Sequence, residues 1–331
     1  MAGRRQKKSG RRSYAWRYRG RIVACVFVEV IIICALVIMI GWNKGVKEWF
    51  EQFEQPVLKE VDISGINSPN AILMQARGGK ILGEINGEAQ IYPASMTKIM
   101  TVILGIENFD DLDEKITLTD EMFTGLYEQD ATQAGFQPGE EVRVIDLLYG
   151  AMLPSGAECC IALADTISGS EADFAELMNK KARKLGMENT HFCDSTGLHN
   201  PDHYSTVKDI AVLMKYCIKN DTFREIVETS RHSTGVTNIH PDGITYYSTM
   251  FKNLSAPTVT GGKILGGKTG YTSEAGHCLV SFAEIEGREY IFVSAGASGA
   301  DGNTIPHIQD AVTVYNRVGA AIEEKMNDNN K

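Results

Sequence analysis

A chain of 331 residues, 43% hydrophobic and 23% charged, has the composition of a globular protein with enough length for one large domain or two small ones. Its net charge of −9 leaves no basic footprint for nucleic acid outside the first 21 residues. Seven histidines are scattered without a His-Glu-x-x-His helix, which argues against a zinc peptidase, and no metal or other cofactor is expected.

In chain order the first element is a basic arm, residues 1–21, with nine arginines and lysines between Arg4 and Arg21. Beyond it 24 basic residues face 42 acidic ones, a balance of about −18. Capture of an anionic substrate then depends on local cations, because the global field does not attract it. Residues 22–42 form an apolar run long enough to span a bilayer, interrupted by Glu29. The 13 Ile, Leu, Val and Phe residues between Ile22 and Ile40 contribute roughly −4 to −8 kcal/mol to insertion, against about +3 kcal/mol for one central acid. Insertion wins. With the arm held in the cytoplasm, the chain after Trp42 is expected outside the cell membrane. The run exceeds an ordinary signal-peptide core and no small-x-small site follows it, so an anchor is expected over a cleaved leader. Residues 43–57 read as a charged, partly helical stalk.

A hairpin follows, Ala71 to Met74 and Ile81 to Glu84. Next comes Ser95-Met96-Thr97-Lys98, opening the apolar run from Ile99 to Leu104, which predicts a buried helix whose first turn carries both Ser95 and Lys98. Residues three apart share a helix face, so the lysine amine can reach the serine hydroxyl. Helical patterns dominate from about 120 to 225. Within them Ser155-Gly156-Ala157-Glu158 follows Leu153-Pro154 and matches a helix capping box. A second Ser-x-x-Lys, Ser205 to Lys208, lies in a polar stretch before an amphipathic segment, where Ser205 reads as an N-cap. His203, two residues earlier, is read as structural. Strands return from about 230 to 298 and include Ile264 to Thr272, a glycine-flanked strand with Lys268-Thr269-Gly270-Tyr271 at its end. Glycine there admits a substrate backbone, and Lys268 is a candidate neighbour for lowering the Lys98 pKa. Ile305 to Lys325 reads as an amphipathic helix with Ile308, Ala311, Val312, Tyr315, Val318 and Ile322 on one side, and 327–331 as a tail.

Seven cysteines do not make a disulfide framework. Cys25 and Cys34 lie in the apolar run, the other five are odd in number, and a bond between adjacent Cys159 and Cys160 would be strained. Buried thiols acting as small hydrophobes are expected.

Ser95-x-x-Lys98 together with Lys268-Thr269-Gly270 resembles the penicillin-recognising serine D-alanyl-D-alanine carboxypeptidases, the low-molecular-mass penicillin-binding proteins of peptidase family S11. The hairpin at 71–84, Pro93-Ala94 before the nucleophile, the Ser195-Thr196-Gly197-Leu198 to His203-Tyr204-Ser205-Thr206 loop, and Gly270-Tyr271-Thr272 to Gly276 add to the likeness, over roughly residues 58–322. The resemblance implies one α/β domain at 58–326: an antiparallel sheet flanked by helices, with a mainly helical subdomain, the fold shared by β-lactamases and penicillin-binding proteins. It implies Ser95 as nucleophile, Lys98 as its base, and Ser155 as proton shuttle. Lys268 and Thr269 would bind the substrate carboxylate, with the Gly270 strand alongside and the N–H groups of Ser95 and Tyr271 as oxyanion donors. The partners implied are a peptidoglycan stem peptide ending in D-Ala-D-Ala, β-lactams as covalent inhibitors, and the cell membrane. Many family members carry a C-terminal β-rich domain and a C-terminal anchor; here the N-terminal span is expected to serve as the anchor. The family's Ser-x-Asn motif departs to Ser155-Gly156-Ala157, which leaves a weak penicillin-binding sensor as one alternative. A class A β-lactamase is the other, although no Glu-x-x-Leu-Asn deacylation motif follows Ser155.

Overall fold

The computed structural model describes residues 58–254, 256–299 and 305–329, which belong to the unit Val57–Lys331. The basic arm, the apolar span and the stalk lie outside the described residues. Among the described residues no helix is long and apolar enough to cross a membrane.

Six strands make one antiparallel sheet: β1 (Asn70–Gln75), β2 (Ile81–Ile85), β7 (Thr258–Val259), β8 (Gly262–Thr272), β9 (Gly276–Ile285) and β10 (Arg288–Ala297), in the order β2-β1-β10-β9-β8-β7. Two short ribbons stand apart from it, β3 (Lys115–Thr117) with β4 (Glu141–Arg143), and β5 (Arg231–Ser233) with β6 (Thr245–Tyr247). The central strands are apolar almost throughout because both faces of the sheet are covered. Side chains alternate across a strand, so Ile72, Met74, Val280, Phe282, Ile291 and Val293 enter one core while Leu73, Leu279, Ala283, Tyr290 and Phe292 enter the other.

The first core is closed by helices α1 (Lys98–Asn108), α2 (Val144–Met152), α3 (Ala157–Ser168), α4 (Glu171–Leu185), α5 (Val207–Cys217) and α6 (Asp221–Glu228). Buried residues run all round the first two turns of α1, as they must in a helix packed among other helices. A short helix α7 (Thr249–Asn253) packs on β8. The second core is closed by α8 (Pro306–Asn329). There Ile308, Ala311, Val314, Tyr315, Val318 and Ile322 are buried. Val312, read from sequence as part of that face, is only half-buried, and Val314 takes the central place. The Asp310 carboxylate accepts from the backbone N–H and side chain of both Asn67 and Ser68, which fixes the start of α8 against the entry to β1.

Three local readings change. Ser95 stands on a 3-10 turn, Ala94–Thr97, that runs into α1, and Lys98 is the first residue of the α-helix proper. The N-cap of α5 is Thr206, whose side chain accepts from the Asp209 N–H; Ser205 is buried one residue earlier and its hydroxyl pairs with Thr190. The N-cap of α3 is Gly156 without a side-chain cap, so the capping-box reading of Ser155 and Glu158 does not hold.

Candidate active site

The Ser95 turn is wedged between β8 and the 194–198 loop, and two glycines permit this. A Cβ on Gly270 would lie 3.0 Å from the Ser95 nitrogen and 3.1 Å from the Ala94 side chain, so only glycine brings the edge of β8 this close to the Ser95 backbone. Gly197 adopts φ +79°, and a Cβ there would lie 1.9 Å from the Ala94 carbonyl oxygen. Ala94 itself has φ +46°, a left-handed backbone that costs an L-residue roughly 1 kcal/mol or more immediately before the serine.

Lys98 is buried, and its Nζ donates to Ser95 Oγ at 3.0 Å and to the Thr196 carbonyl at 2.6 Å. Burial lowers its pKa from 10.5, with the more distant Cys160, Asp194 and Glu158 opposing the shift. Lys268 is also buried; its Nζ donates to Ser155 Oγ at 3.0 Å and to the Thr269 carbonyl at 2.9 Å. Its pKa falls well below the ordinary value, by burial first and by the charge of Lys98 second. Desolvation is therefore the first cause of the lowered pKa of both lysines, and their mutual repulsion disfavours charging both at once.

Ser155, buried, sits in the loop between α2 and α3 with φ +75°, another costly left-handed residue. Flanking backbone bonds hold it there: Gly156 N to Gly150 O at 2.9 Å and Ala157 N to Thr132 O at 2.8 Å. The structure thus brings together two serine–lysine pairs, Ser95 with Lys98 and Ser155 with Lys268, near enough that the charge of Lys98 acts on Lys268. Thr269 hydrogen-bonds through its hydroxyl to Thr249 of α7 at 2.7 Å. Tyr271 is exposed, its ring tilted against His277 with centroids 4.6 Å apart. Glu158 does not replace the missing asparagine amide, because its carboxylate turns away to accept the N–H groups of Ala134 and Gly135 at 2.6 and 2.9 Å.

A support for Lys98 that carries no sequence motif comes from the 194–198 loop. One carboxylate oxygen of Asp194 accepts from Thr196 N–H, Thr196 O–H and Gly197 N–H, each at 2.7 Å. The other meets His203 Nδ1 at 3.1 Å, and His203 Nε2 meets the Thr97 hydroxyl at 2.9 Å. Burial pushes Asp194 up, yet the His203 bond and charge and the Thr196 and Gly197 donors outweigh it and hold the group at about 2. An ionised aspartate thus folds the loop so that the Thr196 carbonyl points at Lys98. His203, read from sequence as structural, is half of that support; Thr196 was visible only as part of the Ser195 to Thr206 likeness, and Asp194 was not singled out from the sequence.

This arrangement is that of a serine acyl-transfer site: a hydroxyl on a buried lysine whose pKa is lowered, a second serine on a second lysine, and backbone N–H groups at the turn and strand edge. The model of the D-alanyl-D-alanine carboxypeptidase family, peptidase S11, matches residues 57–299, and the chain belongs to that family. It is 35% identical over 231 residues to the D-alanyl-D-alanine carboxypeptidase DacF of Bacillus subtilis, covering 69% of this chain and 57% of that protein. It is 35% identical over 236 residues to the D-alanyl-D-alanine carboxypeptidase of a Streptomyces strain, K15, covering 69% of this chain and 78% of that one. The crystal structure of the Streptomyces K15 DD-transpeptidase superposes with a TM-score of 0.69 at 28% identity, covering 79% of this chain and all of that one. The matched part amounts to little more than half the length of DacF and of similar curated relatives. The fold is accordingly the α/β fold of penicillin-binding proteins, with the helical part on one face of the antiparallel sheet.

Proposed function

We propose that the chain is a serine D-alanyl-D-alanine carboxypeptidase that removes the terminal D-alanine of peptidoglycan stem peptides. The observation that carries this is the 3.0 Å contact of the buried, desolvated Lys98 amine with Ser95 Oγ. Lys98 takes the Ser95 proton as the hydroxyl attacks the carbonyl between the two D-alanines. The N–H groups of Ser95 and Tyr271 hold the developing oxyanion, each worth roughly 3 kcal/mol. The terminal carboxylate lies against Lys268 and Thr269. As the C–N bond breaks, Ser155, whose oxygen already accepts from Lys268, gives its proton to the leaving amine and is reprotonated from the lysine pair. Water then attacks the ester on Ser95, with Lys98 again as base. The K15 relative is named both a carboxypeptidase and a DD-transpeptidase; an amine in place of water would give the second outcome from the same acyl-enzyme.

β-Lactams would acylate the same serine, since their strained amide stands in for the scissile one. The basic arm and the apolar run at 22–42 support a single-pass cell-membrane protein with this domain outside. Protease added to spheroplasts should then remove the catalytic domain; a mature protein beginning near residue 42 would contradict the anchor. For the activity, a purified protein should release D-alanine from a D-Ala-D-Ala peptide, and Ser95→Ala should not. Release by Ser95→Ala at the wild-type rate would overturn the assignment.

A further inference from the structure

A cleft opens at Ser95 and Lys98. Its lining includes Asp130, Thr132, Ala157 and Thr272, and not Ser155, Lys268 or Thr269. With the terminal carboxylate at Lys268, this cleft receives the acyl half of the peptide, the residues that precede the scissile bond.

Asp130 is exposed at this cleft, and its carboxylate has no hydrogen-bond or ion-pair partner among the described residues. Its place is built. Asp130 adopts φ +51°, and its N–H bonds to Tyr127 O at 3.1 Å while the next residue bonds to Leu126 O at 2.9 Å. The loop beyond is tied to α3 by the Thr132 carbonyl on Ala157 N–H and by the buried Glu158 on Ala134 and Gly135. No lysine or arginine occurs between Lys115 and Arg143, so the segment contains no cation to neutralise Asp130. The alanine at 157, where the family pattern has asparagine, removes a side chain from the same wall.

We propose that Asp130 is a specificity determinant that receives a side-chain ammonium on the residue immediately before the D-alanine pair. The substrate is then read as a dipole: its anionic end on Lys268, its cationic side chain on Asp130. A peptide whose side-chain amine is already acylated, as in a cross-linked strand, loses the second contact and gains an uncompensated carboxylate beside it. The inference deepens the carboxypeptidase reading and rests on it.

The test compares two peptides that differ in one charge, Nα-acetyl-Lys-D-Ala-D-Ala and Nα,Nε-diacetyl-Lys-D-Ala-D-Ala, by D-alanine release. The wild type should prefer the free amine about fivefold in kcat/KM at low ionic strength, the scale of a partly exposed ion pair. The preference should shrink as salt screens it. Asp130→Asn, which keeps a residue tolerant of the left-handed backbone, should bring the ratio to about one, and Asp130→Lys should invert it. Equal rates for the two peptides in the wild type, or a ratio that survives in Asp130→Asn, would overturn the inference while leaving the activity standing. Release from neither peptide, with no penicillin label on Ser95, would overturn the proposed function and this inference with it.

Discussion

Asp194→Asn keeps the side-chain shape and removes its charge, which isolates the electrostatic support of the loop that holds Lys98. The folded carboxyl titrates at about 2 against an ordinary 3.8. A difference of nearly two pH units corresponds to about 2 kcal/mol favouring the folded state at neutral pH. Because the folded pKa is depressed, this stabilisation is complete above the unfolded value and is lost as pH falls through about 2. Urea unfolding of the purified protein should therefore show Asp194→Asn less stable than wild type by about 2 kcal/mol at pH 7 and by about half as much at pH 3. An asparagine has one acceptor oxygen, so its NH2 must face either His203 Nδ1 or the three donors of Thr196 and Gly197, and in the second case the Thr196 carbonyl loses its aim at Lys98. Penicillin acylation of Ser95 should slow about tenfold, the loss of roughly one strong hydrogen bond at the transition state. A midpoint unchanged at pH 7, or an equal deficit at pH 3 and pH 7, would refute the reasoning.

Gly197→Ala places a Cβ 1.9 Å from the Ala94 carbonyl at φ +79°; the variant should lose about 3 kcal/mol or more and fail to label with penicillin, whereas normal melting and labelling would show that the nucleophile turn does not depend on this contact. Since burial lowers the Lys98 pKa from 10.5, the acylation rate should rise with pH through a midpoint below 10.5, and Lys98→Arg, which cannot lose its proton, should be about a thousandfold slower; a midpoint at or above 10.5 would contradict a desolvated base. Ala157→Asn should speed penicillin acylation about threefold by restoring a substrate-facing amide, less than a full hydrogen bond because Thr196 already holds Lys98. An unchanged or slower rate would mean that the cleft wall is adapted to alanine.

Ser95, Lys98 and Lys268 could be located from sequence because their chemistry resides in side chains at fixed spacings. Their neighbour Thr196 acts through a backbone carbonyl, which any residue could supply, so its identity carries no signal; Asp194 was missed, and the signal that could have found it is an aspartate two residues before a threonine and three before a glycine, an arrangement that folds onto its own backbone. Ser155 was ambiguous for a physical reason. Its sequence fits a helix cap, and the backbone, with Gly156 at the N-cap and Ser155 at a left-handed φ, removes that role. Ser205 and Thr206 are both good caps one residue apart, a distinction that backbone geometry decides. The central strands were legible as apolar runs, but their assignment to two cores required the register of β1, β9 and β10. Asp130 had no pattern around it, because its position depends on a long loop tied back to α3.

The central claim is an acyl-enzyme on Ser95, and mass spectrometry of the penicillin-treated protein tests it most directly. The account predicts one covalent adduct, on the peptide containing Ser95, absent in Ser95→Ala and persisting far longer than the seconds expected of a β-lactamase. An adduct on Ser205, or an undiminished adduct in Ser95→Ala, would contradict it.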